Sequence, residues 1–140
     1  MIILACDHNG YELKEKIKEF FNAENINTID VGCYSKDKFD YPDAAISGCA
    51  RVLENNQNVG IFICGTGIGM SMVANRNPKI RAALCQNKQQ TSLARRHNDA
   101  NVLVLSGKIS KRKAVGMIKV FLTTDFEKGR HLNRIKKFSQ

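Results

Sequence analysis

The amino-acid sequence predicts an α/β fold: a three-layer sandwich in which a Rossmann-like, five-stranded parallel sheet carries helices on both faces. Two observations predict it. Short apolar runs alternate with longer amphipathic ones from end to end, and repeated strand-to-helix alternation builds a parallel sheet covered on both sides. The 140 residues are 43% hydrophobic, a size at which one domain encloses a real core, so residues 1–140 read as a single domain.

The elements follow in order. Ile2–Cys6 is a short apolar run bounded by Asp7 and reads as the first strand. Residues 11–24 place Leu13, Ile17, Phe20 and Phe21 at helical spacing with Lys and Glu between them. Residues 28–31 form the second strand, and Asp40-Tyr41-Pro42 reads as a loop before a helix, with Tyr41 either a turn anchor or a lid. Val59–Cys64 is the third strand, followed by glycines and a helical segment over residues 70–75. Residues 80–85 are the fourth strand, Arg96-His97-Asn98-Asp99 precedes the fifth over residues 102–105, and Lys111–Thr123 is a helix with Val115, Ile118 and Leu122 on its apolar side. The tail from about residue 129 to 140 reads as a short helix that docks elsewhere.

No apolar run approaches the roughly 18 residues of a membrane helix, and the N-terminus lacks a basic region and meets Asp7 too early for a signal peptide, so a cytoplasmic protein is expected. The five cysteines are odd in number, scattered and without a C-x-x-C pair, which fits reduced thiols that mostly fill the core. Residues 108–137 hold ten Lys or Arg against Asp125 and Glu127, which supplies eight of the nine net positive charges. Such a stretch is either a phosphate or nucleic-acid surface or a solvated helix face.

The most informative motif is Cys64-Gly65-Thr66-Gly67-Ile68-Gly69. A buried strand ends in a thiol, and glycines then leave bare N–H groups that suit an anion at the start of a helix. Neither frame of the loop offers the third glycine of a dinucleotide fingerprint, and no Gly-Lys-Ser/Thr step follows, so a small anion fits better than a nucleotide. His8, His97 and His131 each sit beside a charged or amide residue outside the apolar runs, and no pair has metal-ligand spacing, so no metal is expected. Arg130 and Arg134 lie four apart, on one face of a helix, where two guanidinium forks suit a phosphate. Because open parallel sheets bind ligands at the carboxyl ends of their strands, Asp7-His8, Cys64 and the Arg96–Asp99 segment are expected to converge on one edge.

Taken together and in register, Cys6-Asp7-His8, Asp40-Tyr41-Pro42, the Cys64–Gly69 loop, Arg96-His97-Asn98-Asp99, and Gly129-Arg130-His131 with Arg134 resemble the ribose-5-phosphate isomerase B family over almost the whole chain. The resemblance implies interconversion of ribose 5-phosphate and ribulose 5-phosphate through an enediolate, without metal or organic cofactor. It makes Cys64 the base, its thiolate favoured by nearby N–H groups and a helix N-terminus. Thr66 and the amides of Gly65, Gly67, Ile68 and Gly69 would stabilise the enediolate oxygen. His97 would assist ring opening, while Asp7, His8, Tyr41 and Asn98 orient hydroxyls or phosphate. Arg130 and Arg134 would clamp the phosphate, with His131 also among the substrate-binding residues. Lys108 stands where the family often has arginine, a point charge in place of a planar fork. Some members place a glutamate base where this chain has Ile68 and lack the thiol; this sequence follows the cysteine pattern. The family's site is shared across a dimer, so a homodimer, or a tetramer of two dimers, is implied.

Three other readings compete. A related isomerase of a six-carbon phosphosugar, such as allose or galactose 6-phosphate, would differ in pocket depth. The galactose 6-phosphate enzymes divide these motifs between two chains, whereas all of them are present here in one. A basic nucleic-acid binding protein would need aromatic residues interleaved with the cations, and the sequence lacks them. A non-catalytic sugar-phosphate sensor could share the fold.

Overall fold

Strand and helix alternate in the order β1 (Ile2–Cys6), α1 (Tyr11–Ala23), β2 (Thr28–Asp30), α2 (Tyr41–Leu53), β3 (Val59–Cys64), α3 (Ile68–Ala74), β4 (Ala82–Leu84), α4 (Lys88–Asn98), β5 (Val102–Ser106), α5 (Lys111–Thr123) and α6 (Arg130–Phe138). This is a computed structural model that describes residues 1–138. The last two residues of the tail read as a helix, 139 and 140, lie outside the described residues. The five strands form one sheet in the order β2-β1-β3-β5-β4, and every pairing is parallel. The α/β sandwich expected from the alternation is therefore the fold observed.

Side chains alternate across the sheet with the period of two that a strand imposes. Leu4, Cys6, Ile61, Ile63, Leu103 and Leu105 join the layer built with Leu13, Ile17 and Phe21 of α1 and Met117 and Phe121 of α5. Ile3, Ala5, Phe62, Cys64, Val102 and Val104 join the opposite layer, with Ala44, Ala45 and Cys49 of α2 and Met70 and Ala74 of α3. Each fully buried Ile, Leu or Phe contributes about 1.5–3 kcal/mol, which is why the central strands are apolar on both faces.

In α5 the buried face is Ala114, Met117, Ile118 and Phe121, and Leu122 is exposed. Of the trio Val115, Ile118 and Leu122, only Ile118 lies at its centre. Apolar residues occupy both sides of this helix, and only the packing against α1 and the sheet selects which side turns inward. Its cations Lys111, Arg112, Lys113 and Lys119 are exposed, so much of the basic stretch is a solvated helix face. No helix among the described residues is long and apolar enough to cross a membrane.

Beneath the β1–β2 edge lies a charged core. The Lys14 side chain is 0% exposed, and its Nζ donates to Asp30 Oδ2 at 2.5 Å and to the Cys33 carbonyl at 2.7 Å. Lys18 Nζ reaches the same Asp30 oxygen at 2.7 Å. Two backbone bonds of 2.7 Å, Cys6 N–H to Gly32 O and Cys33 N–H to Cys6 O, carry the ladder to the end of β1. The chain that presents Asp7 and His8 is thus tied to this ion pair.

Candidate active site

The strand order places β1 and β3 side by side, although β2 separates them along the chain, and that reversal opens a crevice at their carboxyl ends. Cys6 pairs with Ile63, and the Asp7 N–H donates to the Ile63 carbonyl at 3.2 Å, so Asp7 stands beside Cys64. On the other flank Cys64 pairs with Ser106 of β5.

Cys64 is 4% exposed, and the Gly67 N–H donates to its Sγ at 3.2 Å. That contact depends on glycine: Gly67 has φ +82°, and a Cβ there would come within 2.4 Å of Leu84 Cδ1 and 3.3 Å of the Leu105 backbone. Thr66 projects to solvent, its Oγ1 accepting from the Ile68 N–H at 3.2 Å. Gly69 lies under the Tyr41 ring, where a Cβ would come within 2.6 Å of Cζ, so the aromatic side chain at the start of α2 leans over the thiol loop. The buried Asp7 accepts the Gly10 N–H at 2.9 Å, which turns the chain into α1. His8 is oriented by the Phe39 N–H, which donates to Nδ1 at 3.2 Å. Lys108 is exposed at the mouth of the same crevice, just beyond β5.

Three residues outside the motifs of the sequence belong here. Ser106 Oγ donates to the Gly65 carbonyl at 2.8 Å, and Gly107 N–H donates to the Cys64 carbonyl at 2.8 Å, which together brace the thiol loop. Asn9 has its amide 3.3 Å from His8 Nε2 and its Cβ against the place a Gly65 side chain would occupy. The strand-end rule that selects Asp7 and Cys64 also selects Ser106 once the fifth strand is carried one residue further.

His97 and Asn98 lie elsewhere. α4 returns the chain to the amino edge of the sheet, where Val102 pairs with Gly60. Gly60 and Cys64 are four residues apart on β3, about 13 Å along the strand. The expectation that Asp7-His8, Cys64 and the Arg96–Asp99 segment converge on one edge therefore fails within a single chain. The reason is topological: in a parallel sheet every crossover helix must run opposite to the strands, so its C-terminus lies at the amino edge.

At that edge α6 docks on α4 through His131 and Ile135, and the His131 ring stacks on His97 at 4.3 Å with 8° between planes. Arg130 and Arg134 sit four apart on the exposed side of α6. Glu127, which in the sequence only offsets the surrounding cations, accepts from Arg96 Nε at 2.5 Å and lies 3.6 Å from Nε2 of both His97 and His131. Nothing local marks it, because it lies in the irregular connection before α6.

His97, Glu127 and His131 bring three ligand atoms within 4.8 Å of one another. Their rings lie parallel instead of converging on one point, and Arg96, Arg130 and Arg134 add positive charge around them. This donor set suits a shared proton better than a cation. Burial first, then His97, Arg130 and Arg134, holds the His131 imidazole below the usual histidine range. The Arg96 hydrogen bond keeps Glu127 below the usual carboxylate range. All five cysteines are free and buried. Burial pushes Cys49 up to about 11 and raises Cys6 and Cys85 as well, so these three are inert thiols in the core.

Comparison with known proteins agrees with this fold. The model of the ribose/galactose isomerase family matches residues 2–138. A putative sugar phosphate isomerase from Rickettsia conorii is 44% identical over 97% of this chain and 95% of its own length. The crystal structure of a ribose 5-phosphate isomerase from Thermotoga maritima superposes with a TM-score of 0.96 at 45% identity, covering 99% of this chain and 96% of that one. Ribose-5-phosphate isomerase B from Mycoplasma genitalium, solved with bound ribulose-5-phosphate, gives a TM-score of 0.91 at 39% identity over 97% and 91% of the two chains. With the fold, the family model and these relatives in agreement over nearly the whole length, the chain belongs to the ribose/galactose isomerase family.

Proposed function

We propose that this protein is an aldose–ketose isomerase that interconverts D-ribose 5-phosphate and D-ribulose 5-phosphate through an enediolate. The observation that carries the reading is a thiol at the β1–β3 crevice with a loop N–H 3.2 Å from its sulfur. The relative with bound ribulose-5-phosphate supports the choice of a pentose. In the open-chain aldose, the Cys64 thiolate takes the proton from C2 and the electron pair moves to O1. The thiol returns that proton to C1 while the O2 proton passes to O1, which leaves the ketose. Thr66 and the amides of Gly65, Gly67, Ile68 and Gly69 stabilise the charge on oxygen. Asp7, His8 and Tyr41 orient hydroxyls. These steps need only side chains and amides, and five buried reduced thiols suit the cytoplasm.

The remaining groups face the opposite edge, so a complete site takes Cys64, Asp7, His8, Tyr41 and Lys108 from one protomer. His97, Asn98, Arg130, His131 and Arg134 come from its partner. The working unit is a homodimer, and two such dimers can pair. Arg130 and Arg134 clamp the phosphate and His97 opens the furanose ring. With ribose 5-phosphate as substrate, mixing Cys64→Ala with His97→Asn protein, each impaired alone, under exchange conditions is expected to restore about one quarter of wild-type activity, because half of the random dimers contain one intact site of two. No recovery on mixing overturns the shared site.

The reaction itself is tested by assaying ribose 5-phosphate and allose 6-phosphate side by side with the purified protein and no added metal. A clear preference for the pentose is expected. Preference for the hexose would reassign the substrate, and activity on neither would overturn the isomerase reading.

A further inference from the structure

We propose that Glu127 is a positioning residue for His97: its carboxylate engages Nε2, so that Nδ1 is the nitrogen presented to the ring oxygen of the sugar. The inference rests on the ring-opening role of His97 given above. Glu127 is held before it meets either imidazole. Its backbone N–H donates to the Arg96 carbonyl at 3.0 Å, and Arg96 Nε and Nη2 both reach Oε1 at 2.5 Å. Oε1 is thereby occupied, and Oε2 faces Nε2 of His97 and Nε2 of His131, each at 3.6 Å. Both are ion-pair distances, longer than a hydrogen bond.

The two rings are not equivalent. His131 has a side chain 7% exposed and His97 one 35% exposed. The groups facing the pair are Glu127 from the α5–α6 connection, Arg96 from α4, and Arg130 and Arg134 from α6. Burial and the arginines keep a proton off His131, so its ring serves as a flat neutral platform stacked against His97. Glu127 Oε2 thus stands between a buried ring and a half-exposed one, and the half-exposed ring, His97, is the one open to substrate. Ring opening then has a defined donor. Nδ1–H protonates the furanose ring oxygen as its bond to C1 breaks, and the C1 hydroxyl loses its proton to solvent as the aldehyde forms. The Glu127 charge stabilises the imidazolium before the transfer and fixes the tautomer after it.

The test uses the full dimeric protein with Glu127→Gln and, as conservative rescue, Glu127→Asp. Long-range 1H–15N spectra of histidine-labelled protein report the His97 titration and which nitrogen keeps its hydrogen. In Glu127→Gln the His97 titration is expected to move to lower pH, and the alkaline-side limb of the kcat/KM profile, set by loss of the proton His97 donates, moves with it. kcat/KM for ribose 5-phosphate falls roughly tenfold at neutral pH. Initial rates from open-chain ribulose 5-phosphate change little, and Glu127→Asp restores most of the loss. An unmoved His97 titration in folded Glu127→Gln, or a neutral His97 ring that keeps its hydrogen on Nδ1 alone, overturns the assignment. His97→Asn separates this from the parent reading: equal losses with both sugars overturn the ring-opening role, independently of what the Glu127 variants do to the titration.

Discussion

Cys64→Ala is expected to slow isomerisation of ribose 5-phosphate by roughly 10²–10⁴-fold while leaving substrate affinity close to wild type. In free energy that is about 3–5.5 kcal/mol removed from the transition state alone, because the sulfur acts on the C2 proton and adds little to binding. The fold has reason to survive. The substitution removes one atom from a site 4% exposed and leaves the Gly67 N–H without its acceptor. The cost is about 1–3 kcal/mol for a buried donor. Cys64→Ser sharpens the test, since a hydroxyl keeps an acceptor near the Gly67 N–H yet does not ionise at neutral pH. It is expected to restore stability without restoring turnover. Steady-state kcat and KM, with product binding measured by calorimetry, decide the matter, and turnover within tenfold of wild type in the alanine variant would end the base assignment.

The second large effect concerns stability. Asp30→Ala is expected to destabilise the protein by about 3 kcal/mol, because it leaves the buried ammonium of Lys14 with only the partly exposed carboxylate of Glu15 and the Cys33 carbonyl. Lys14 is 0% exposed, and of its two anionic partners Asp30 at 2.5 Å is the more buried, Glu15 at 3.1 Å being 37% exposed. Against a total stability of about 5–15 kcal/mol for an ordinary domain, this loss is severe. Urea unfolding measures it, and a cost below about 1 kcal/mol would show that Lys14 is not held as a buried charge. Adding Lys14→Met to Asp30→Ala is expected to recover most of the loss, since the buried charge is then gone. The pair also has a pH signature. Burial alone would raise the Asp30 carboxyl, but hydrogen bonds from Lys14 and Lys18 outweigh it and hold the group below the usual carboxylate range. A depressed carboxyl contributes stability that is complete above its unfolded value of about 4 and is lost as pH falls through the folded value. Wild-type stability is therefore expected to decline in acid, and that component of the decline to be absent in Asp30→Ala. Because the Lys14 network bonds Cys33, which continues the ladder to Cys6, loss of Asp30 is also expected to loosen Asp7 and His8.

Much of the fold is written in local pattern. Apolar runs mark β1 and β3 with their observed limits, since both strands are buried on two faces and bounded by a polar or glycine-rich turn. The apolar run over residues 80–85 predicts a longer β4 than the observed Ala82–Leu84, because Ile80 and Cys85 are buried but lie outside the paired edge segment. The thiol loop is legible for a chemical reason: alternating glycines after a buried strand mean a tight turn that leaves its backbone N–H groups bare. Ser106 is less so, because one serine at a strand end carries no pattern. Glu127 is illegible, being one carboxylate among ten cations in a connection without periodicity, and only its distance to two imidazoles marks it.

What the sequence determined by itself is the kind of layer structure and the chemical vocabulary: alternating elements, a thiol among glycines, three histidines outside the apolar runs, and an arginine pair at helical spacing. What only the tertiary structure decided is which of these meet. The order β2-β1-β3-β5-β4 sets Asp7 beside Cys64 across 57 positions of sequence, and the return of α4 carries His97 to the other edge of the same sheet. Local periodicity follows from bond geometry and burial within a few turns of chain, whereas strand order is chosen by how whole helices cover two faces of one sheet, a competition among packings that no short stretch encodes.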